Sequence, residues 1–319
     1  MFPDNNWYGH RKILLEYVGE KDKKIFASLQ HGWSSQVLDN VNSHKKYFYP
    51  ILVWSKYQKK FFNKKSIFNV HAIGAPFLYL CKMLNTNYYK NKKNYLNRGV
   101  IVFPAHSSQN ITHATNHKLL IKEVKKNFSG PYTVCFYYFD LKKKEIEVYK
   151  KNNWRIICCV KNKIDEQSLI KLHTEINNHE TVVTNEFGSS LFYGMYLKKK
   201  TRIILESNNR VSQYSIKENN FIKFYKNKYP ELFKKFLNSK KGYRLAQSEL
   251  GSSCIKTKEE LKKILGINSF LKSLLSNLLA ILYDFKYSPG LRNGKNLKSR
   301  YLKKYIAIAG NTKIYNQNN

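Results

Sequence analysis

Residues 98–205 alternate short apolar runs with amphipathic stretches of helical spacing, and this alternation constrains the fold more than any other feature. "RGVIVFPAH" (98–106), "YTVCFYYF" (132–139), "WRIICCV" (154–160), "ETVVTNE" (180–186) and "KTRIIL" (200–205) read as strands. Between them 116–128, 143–152, 165–179 and 189–197 read as helices. The first of these carries Leu119, Leu120, Ile121 and Val124, and Asp165 is placed to cap the third. Strands that are apolar throughout are buried on both faces. Neighbours running the same way need a long crossover, which a helix supplies. The pattern predicts α/β architecture with a parallel, doubly wound sheet.

The first 95 residues repeat the theme on a smaller scale. "KKIFASLQHGW" (23–33), "YFYPILVWS" (47–55) and "NVHAIGAPF" (69–77) each read as a strand entering a polar or Gly/Pro turn, with a helix over 55–62. This predicts one α/β domain over 1–95 and a second over 96–215, joined through the polar, basic stretch 85–97. Beyond 215 the chain turns helical: 216–266 is expected to pack across the two domains, and 267–319 to hold an apolar helix and a basic tail. Over 267–285, Leu271, Leu274, Leu275, Leu278, Leu279 and Leu282 make a wide apolar face flanked by lysines. Such a helix either lies in an anionic membrane surface or packs on the protein or in a dimer.

Lys plus Arg number 57 against 21 Asp plus Glu, a net charge of +36, so an anionic partner is expected. Lysine far outnumbers arginine, the better bidentate reader of bases and phosphates. The charge thus points to an anionic neighbourhood, the inner membrane surface included, and to no specific nucleic acid. A non-enzymatic polyanion binder is the competing class, with steep salt dependence as its signature. Against it, the aromatics lie within strands and not along a basic face where bases stack. Five cysteines without a CxxC spacing fit a reducing compartment. Residues 1–20 lack an apolar signal core and no run of 18 uncharged apolar residues occurs, so a cytoplasmic protein is expected, peripheral to the inner membrane face at most.

Ligands of open α/β sheets bind beyond the carboxyl ends of the strands. There the first half offers His31 and Gly32 in "QHGW", and Gly74 after "VHAI"; the second offers His106, Ser107 and Ser108 in "PAHSS", and Glu186, Ser189 and Ser190 in "TNEFGSS". Gly188 is expected to take a turn closed to bulkier residues, and Ser189 or Ser190 to cap the helix that follows. The free amides and positive end of that helix suit an anion, most simply phosphate. Glu186 either accepts from a sugar hydroxyl or is a solvated turn residue. His106 either meets a diphosphate or closes a loop, and His31 is either a general base or a structural histidine at a tight turn. Lys198, Lys199 and Lys200 either assist the phosphate or form a solvated helix end. His113 and His117 read as surface residues at a helix start. Dinucleotide, Walker, HExxH and GxSxG motifs do not occur, and paired carboxylates at strand ends are lacking, so neither a metal nor a cofactor is expected.

In order and spacing, "YGHRKILLEY", "SLQHGW", "WSKYQKKFF…AIGAPFLYL", "VIVFPAHSS" and "VVTNEFGSSLFYGMYLKKKTRIIL" resemble bacterial surface-polysaccharide glycosyltransferases of the GT-B type. The resemblance extends to capsule enzymes that use CMP-activated sialic acid-like or Kdo-like sugars, and to CDP-glycerol glycerophosphotransferases of teichoic-acid synthesis. It covers about 10–205 and, less closely, 248–266. It implies a GT-B-like fold of two Rossmann-like halves with a helical C-terminal extension. The activity it implies is metal-independent, inverting transfer of a sugar, CMP-linked and acidic by preference, from a nucleotide-activated donor to a surface polysaccharide or lipid-linked glycan; glycerophosphate transfer is the alternative. By the same resemblance His31 is catalytic, and Ser189, Ser190 and, more loosely, His106 to Ser108 hold the donor phosphates; His10, Gly32 and Gly74 are expected on the acceptor side or in the cleft. An acidic D/E-D/E-G base motif of the sialyltransferase kind is missing.

Overall fold

The computed structural model describes residues 5–33, 50–63, 69–88, 99–106, 111–141, 144–162, 164–204, 208–212, 225–233 and 239–267. In the second half, strands β4 (Val100–Phe103), β6 (Tyr132–Tyr137), β7 (Arg155–Val160), β8 (Thr181–Thr184) and β9 (Lys200–Ile203) form one parallel sheet in the order β7-β6-β4-β8-β9. Helices α4 (His117–Asn127), α5 (Ile146–Lys150), α6 (Ser168–Asn177) and α7 (Ser189–Tyr196) make the crossovers. In the first half β1 (Ser28–Leu29), β2 (Ile51–Val53) and β3 (Val70–Ala72) form a second parallel sheet, with α1 (His10–Tyr17), α2 (Lys56–Asn63) and α3 (Pro76–Tyr88). The α/β class with parallel sheets is therefore as the sequence pattern requires.

Alternation along the strands of the large sheet gives it a core on each face. Val100, Val102, Val134, Phe136 and Val183 face Leu120, Ile121, Val124, Tyr149 and Trp154. Ile101, Phe103, Cys135 and Val182 face the other way, into a core shared with Ile13, Leu14, Phe77 and Tyr79 of the first half. Phe77 and Tyr193 stack across this shared core with ring centroids 3.9 Å apart.

Of the C-terminal helices, α8 (Ser239–Leu250) touches both halves and α9 (Lys258–Ile264) packs on the first. Helix α8 packs on α7, while the Leu250 carbonyl accepts from Ala75 N–H at 2.8 Å and the Leu265 carbonyl from Phe26 N–H at 2.9 Å. A Thr257/Glu260 capping box opens α9. Gly251 makes the turn between these elements possible: its φ is +74°, and a Cβ there would sit 1.9 Å from the Trp54 carbonyl oxygen.

Several sequence expectations need correction. Asp165 does not cap α6; Gln167 holds that position, in helical conformation. Asp165 instead accepts the Gln167 and Lys161 N–H groups at 3.0 and 3.3 Å and pairs with Lys171, ordering the turn before the helix. Neither Ser189 nor Ser190 caps α7: the cap is Gly188, without a side-chain bond and in extended backbone (φ −160°) that any residue adopts. His113 lies not at a helix start but in β5 (Ile111–Thr115), which pairs antiparallel with β10 (Asn208–Ser212), a small sheet the sequence reading missed. His117 does open α4, its Nδ1 2.9 Å from the Tyr149 hydroxyl. Ser107, Ser108 and the apolar segment 268–285 lie outside the described residues, as do 89–98 of the expected linker. Among the described residues no helix is long and apolar enough to cross a membrane.

Candidate active site

The large sheet reverses its winding between β4 and β8, so its crevice opens at their carboxyl ends. His106 leaves β4 there, and Thr184 to Ser190 leave β8. Asn185, fully buried, ties the two exits together. Its Oδ1 accepts the Ala105 N–H at 2.5 Å, and its Nδ2 donates to the Thr115 hydroxyl at 3.2 Å. The Thr184 hydroxyl donates to the Glu186 carbonyl at 2.6 Å and shapes the turn into α7. Glu186 and Ser190 are half-buried beside it.

The "QHGW" turn of the first half meets the start of α7. Trp33 N–H donates to Ser189 Oγ at 2.9 Å, so the serine expected to cap its own helix binds the other half instead. Gly32 faces the same hydroxyl; a Cβ there would lie 3.8 Å from it. Gln30 stiffens the turn from within, donating to the Gly32 carbonyl at 2.8 Å and accepting from Trp54 N–H at 3.0 Å. The Trp33 indole donates to Glu249 of α8 at 2.8 Å and packs 4.5 Å from the Phe192 ring. The helix start, the turn and the C-terminal helix thus form one bonded unit.

Three histidines gather around this junction. His31 is exposed at the mouth but walled by protein; that burial, and His106 opposite, push its pKa down. It is therefore neutral, and a competent base, at neutral pH. The His106 ring lies 4.6 Å from that of Tyr137 at the end of β6. His10 is buried, edge-on to Trp54 at 6.1 Å and Tyr8 at 6.0 Å. Burial, then His31, hold its pKa down at about 3, opposed by a hydrogen bond to the Gln30 backbone. Among the described residues its Nδ1 finds no partner.

His10, His31, Gly32, His106, Glu186, Ser189 and Ser190 thus belong to one locality. Gly74 does not join it: it packs under the C-terminal segment, where a Cβ would meet the Gly251 carbonyl at 3.2 Å and Ile255 at 3.3 Å. Lys198, Lys199 and Lys200 sit at the opposite, amino end of the sheet. There Lys198 lies over the Tyr243 ring, Lys199 donates to the Asn177 carbonyl at 2.8 Å and Lys200 pairs with Glu180. Sequence reading missed Asn185, Trp7, Tyr8 and Tyr137. Asn185 and Tyr137 had a signal, a side chain at a strand exit; Trp7 and Tyr8 had none, because they reach the crevice only through a left-handed turn at residues 8 and 9.

No protein-family model matches this chain, and no curated protein matches it. Among solved structures it is similar to a UDP-GlcNAc 2-epimerase from Neisseria meningitidis bound to UDP-GlcNAc, with 13% identity, 62% of this chain covered and a TM-score of 0.34. It is also similar to the wall teichoic acid polymerase TagF, with 13% identity, 83% of this chain covered and a TM-score of 0.32. The chain spans 58% of the length of the epimerase and 65% of that of the polymerase.

Proposed function

We propose that the protein is a glycosyltransferase that moves a sugar, CMP-linked and acidic by preference, from a nucleotide-activated donor to a surface polysaccharide or lipid-linked glycan. One observation carries the reading: the hydrogen bond from Trp33 N–H to Ser189 Oγ, 2.9 Å, which sets a neutral histidine beside the open start of a helix at the switch point of a parallel sheet. In this reading the first half serves the acceptor and the second the donor.

His31 takes the proton of the acceptor hydroxyl. The acceptor oxygen attacks the anomeric carbon from the face opposite the nucleotide, a C–O bond forms, and the bond to the leaving phosphate breaks with inversion. Charge then grows on the phosphate, where the amides at the start of α7, the Ser190 hydroxyl and His106 meet it. Because these donors are fixed before the substrate arrives, they favour the transition state over the ground state. The net charge of +36 suits an acceptor at an anionic membrane face.

The test is a thermal-shift panel of CMP, CDP, UMP, UDP and GDP, followed by turnover of the matching donor. Binding stabilises by mass action, by about 2.7 kcal/mol at a hundredfold excess over Kd. His31→Ala should cost roughly 100-fold or more in turnover and leave the nucleotide shift in place. Full turnover in His31→Ala, or no shift with any nucleotide, would refute the proposal.

A further inference from the structure

We infer that Trp7, Tyr8 and Tyr137 form the floor of a subsite for a cyclic sugar, the unit undergoing transfer, between His31 and His106. The inference rests on the transferase reading and deepens it, because it separates a sugar donor from a glycerophosphate donor.

The rings form an unbroken series. His31 lies 5.5 Å from Trp7, Trp7 6.3 Å from Tyr8, Tyr8 6.2 Å from Tyr137, and Tyr137 4.6 Å from His106, measured between centroids. The proposed base therefore stands at one end and the proposed phosphate contact at the other. Trp7, Tyr8 and Tyr137 are half-buried, unlike the aromatic residues of the core. The Tyr8 and Tyr137 hydroxyls meet at 3.4 Å, tying α1 to the end of β6. Burial holds both phenols in the protonated form; Tyr8 donates to Tyr137, whose own proton is left for a ligand.

The backbone beneath is constrained. Tyr8 sits at φ 54°, ψ 22°, a conformation that bulky residues rarely adopt and that surrounding structure must enforce. Gly9 follows at φ +79°, and a Cβ there would come 2.3 Å from the Glu166 carbonyl oxygen, so only glycine allows this approach. Arg11 bonds Asn6 at 3.3 Å and the Lys23 carbonyl at 2.9 Å, bracing the turn from the other side. The rings are thus set before a ligand arrives, which lowers the entropy lost on binding.

The chemistry of the floor selects its occupant. An aromatic face pairs with an apolar face, and the phenols and imidazoles at its edges pair with hydroxyls or a carboxylate. A pyranose ring offers both an apolar C–H face and a hydroxyl-bearing rim. Glycerol phosphate is acyclic and offers no such face. A nucleobase has a face, but the ribose and phosphates separate it from the reacting bond, and a hydroxyl that reacts must lie within ~3 Å of its base. The unit over a floor that runs from base to phosphate contact is the reacting one.

The test compares wild type, Trp7→Leu, Trp7→Phe and Tyr137→Leu by calorimetric titration, with circular dichroism as the folding control. The ligands are CMP, UDP and GDP, one sugar nucleotide of each, and CDP-glycerol with CDP. In wild type the matching sugar nucleotide should bind roughly 5- to 10-fold more tightly than its bare nucleotide. Trp7→Leu and Tyr137→Leu should abolish that gain, Trp7→Phe should keep most of it, and the bare nucleotide should bind all four proteins alike. A gain that survives both leucine variants, a gain confined to CDP-glycerol, or no gain in wild type overturns the subsite and leaves the transferase reading standing. Weaker binding of the bare nucleotide to Trp7→Leu assigns the floor to the base and overturns it too. Failure of every nucleotide to bind wild type refutes the transferase reading itself.

Discussion

Acidification should destabilise this protein through His10, and one substitution isolates the effect. The side chain is 2% exposed, and burial, then His31, bring its pKa from 6.5 to about 3. Above pH 6.5 neither the folded nor the unfolded chain binds the proton. Below that value the unfolded chain takes up a proton that the folded one refuses until about pH 3, so stability falls with pH across that window. The slope is about 1.4 kcal/mol per unit of pH. Going from about pH 7 to about pH 4.5 therefore removes about 3 kcal/mol, against a typical total of ~5–15 kcal/mol. Since about pH 4.5 lies above the folded pKa, the loss depends on the distance below 6.5 and not on how far the folded value has dropped. Urea unfolding of wild type and His10→Phe at both pH values is the assay. Phenylalanine keeps a ring against Trp54 and Tyr8 but cannot titrate. His173, whose pKa burial lowers to about 4, contributes equally in both proteins and cancels. Wild type should lose about 3 kcal/mol more than the variant. Equal losses would show that His10 takes up its proton in the folded protein, and the account of a buried neutral imidazole would fail.

Ser189→Ala should cost about 1–3 kcal/mol, the price of stranding the Trp33 N–H, whereas Ser189→Thr and Ser190→Ala should stay near wild type in thermal melts. The reverse ranking of Ser189→Ala and Ser190→Ala would contradict the bond between the halves. Gly251→Ala should cost more than about 3 kcal/mol, combining a left-handed backbone with a Cβ driven into the Trp54 carbonyl. Gly188→Ser should instead be neutral or stabilising by up to about 1 kcal/mol: its backbone is extended, the space is open, and the new hydroxyl can cap α7. Comparable losses at both glycines would refute this distinction.

The sheet was legible because β4, β6 and β8 are buried on both faces and so are written as short runs rich in apolar and β-branched residues, "VIVF", "YTVCFY" and "TVVT". The β5–β10 pair was not: "ITHAT" and "NNRVS" are mostly polar, and no continuous apolar run marks them out. Helix α1 was overlooked for another reason. "HRKILLEY" is short and half charged or polar, yet its Ile13, Leu14 and Leu15 face the shared core. The strand-end rule found His31 and His106 because it needs only local information: where an apolar run stops and what polar residue follows.

Contacts between distant segments carry no such local mark, and the site depends on them. A serine at the start of a helix has two uses, to accept its own helix's N–H or someone else's, and the sequence favours the first because it is nearby. Here Gly188 arrives extended, leaving no residue with a side chain to cap α7, while Trp33 N–H, turned outward by the Gln30 clamp, needs an acceptor. The hydroxyl goes to the group whose burial would otherwise cost more. The same reasoning explains Tyr8. Its left-handed backbone is unfavourable in isolation and becomes tolerable only with Gly9 lodged against Glu166 and the phenol bonded to Tyr137, contacts that span well over a hundred residues of chain. What brings the histidines together is therefore the junction of the halves, and substitutions that loosen it at Ser189 or Gly9 should impair the site even though the imidazoles are untouched.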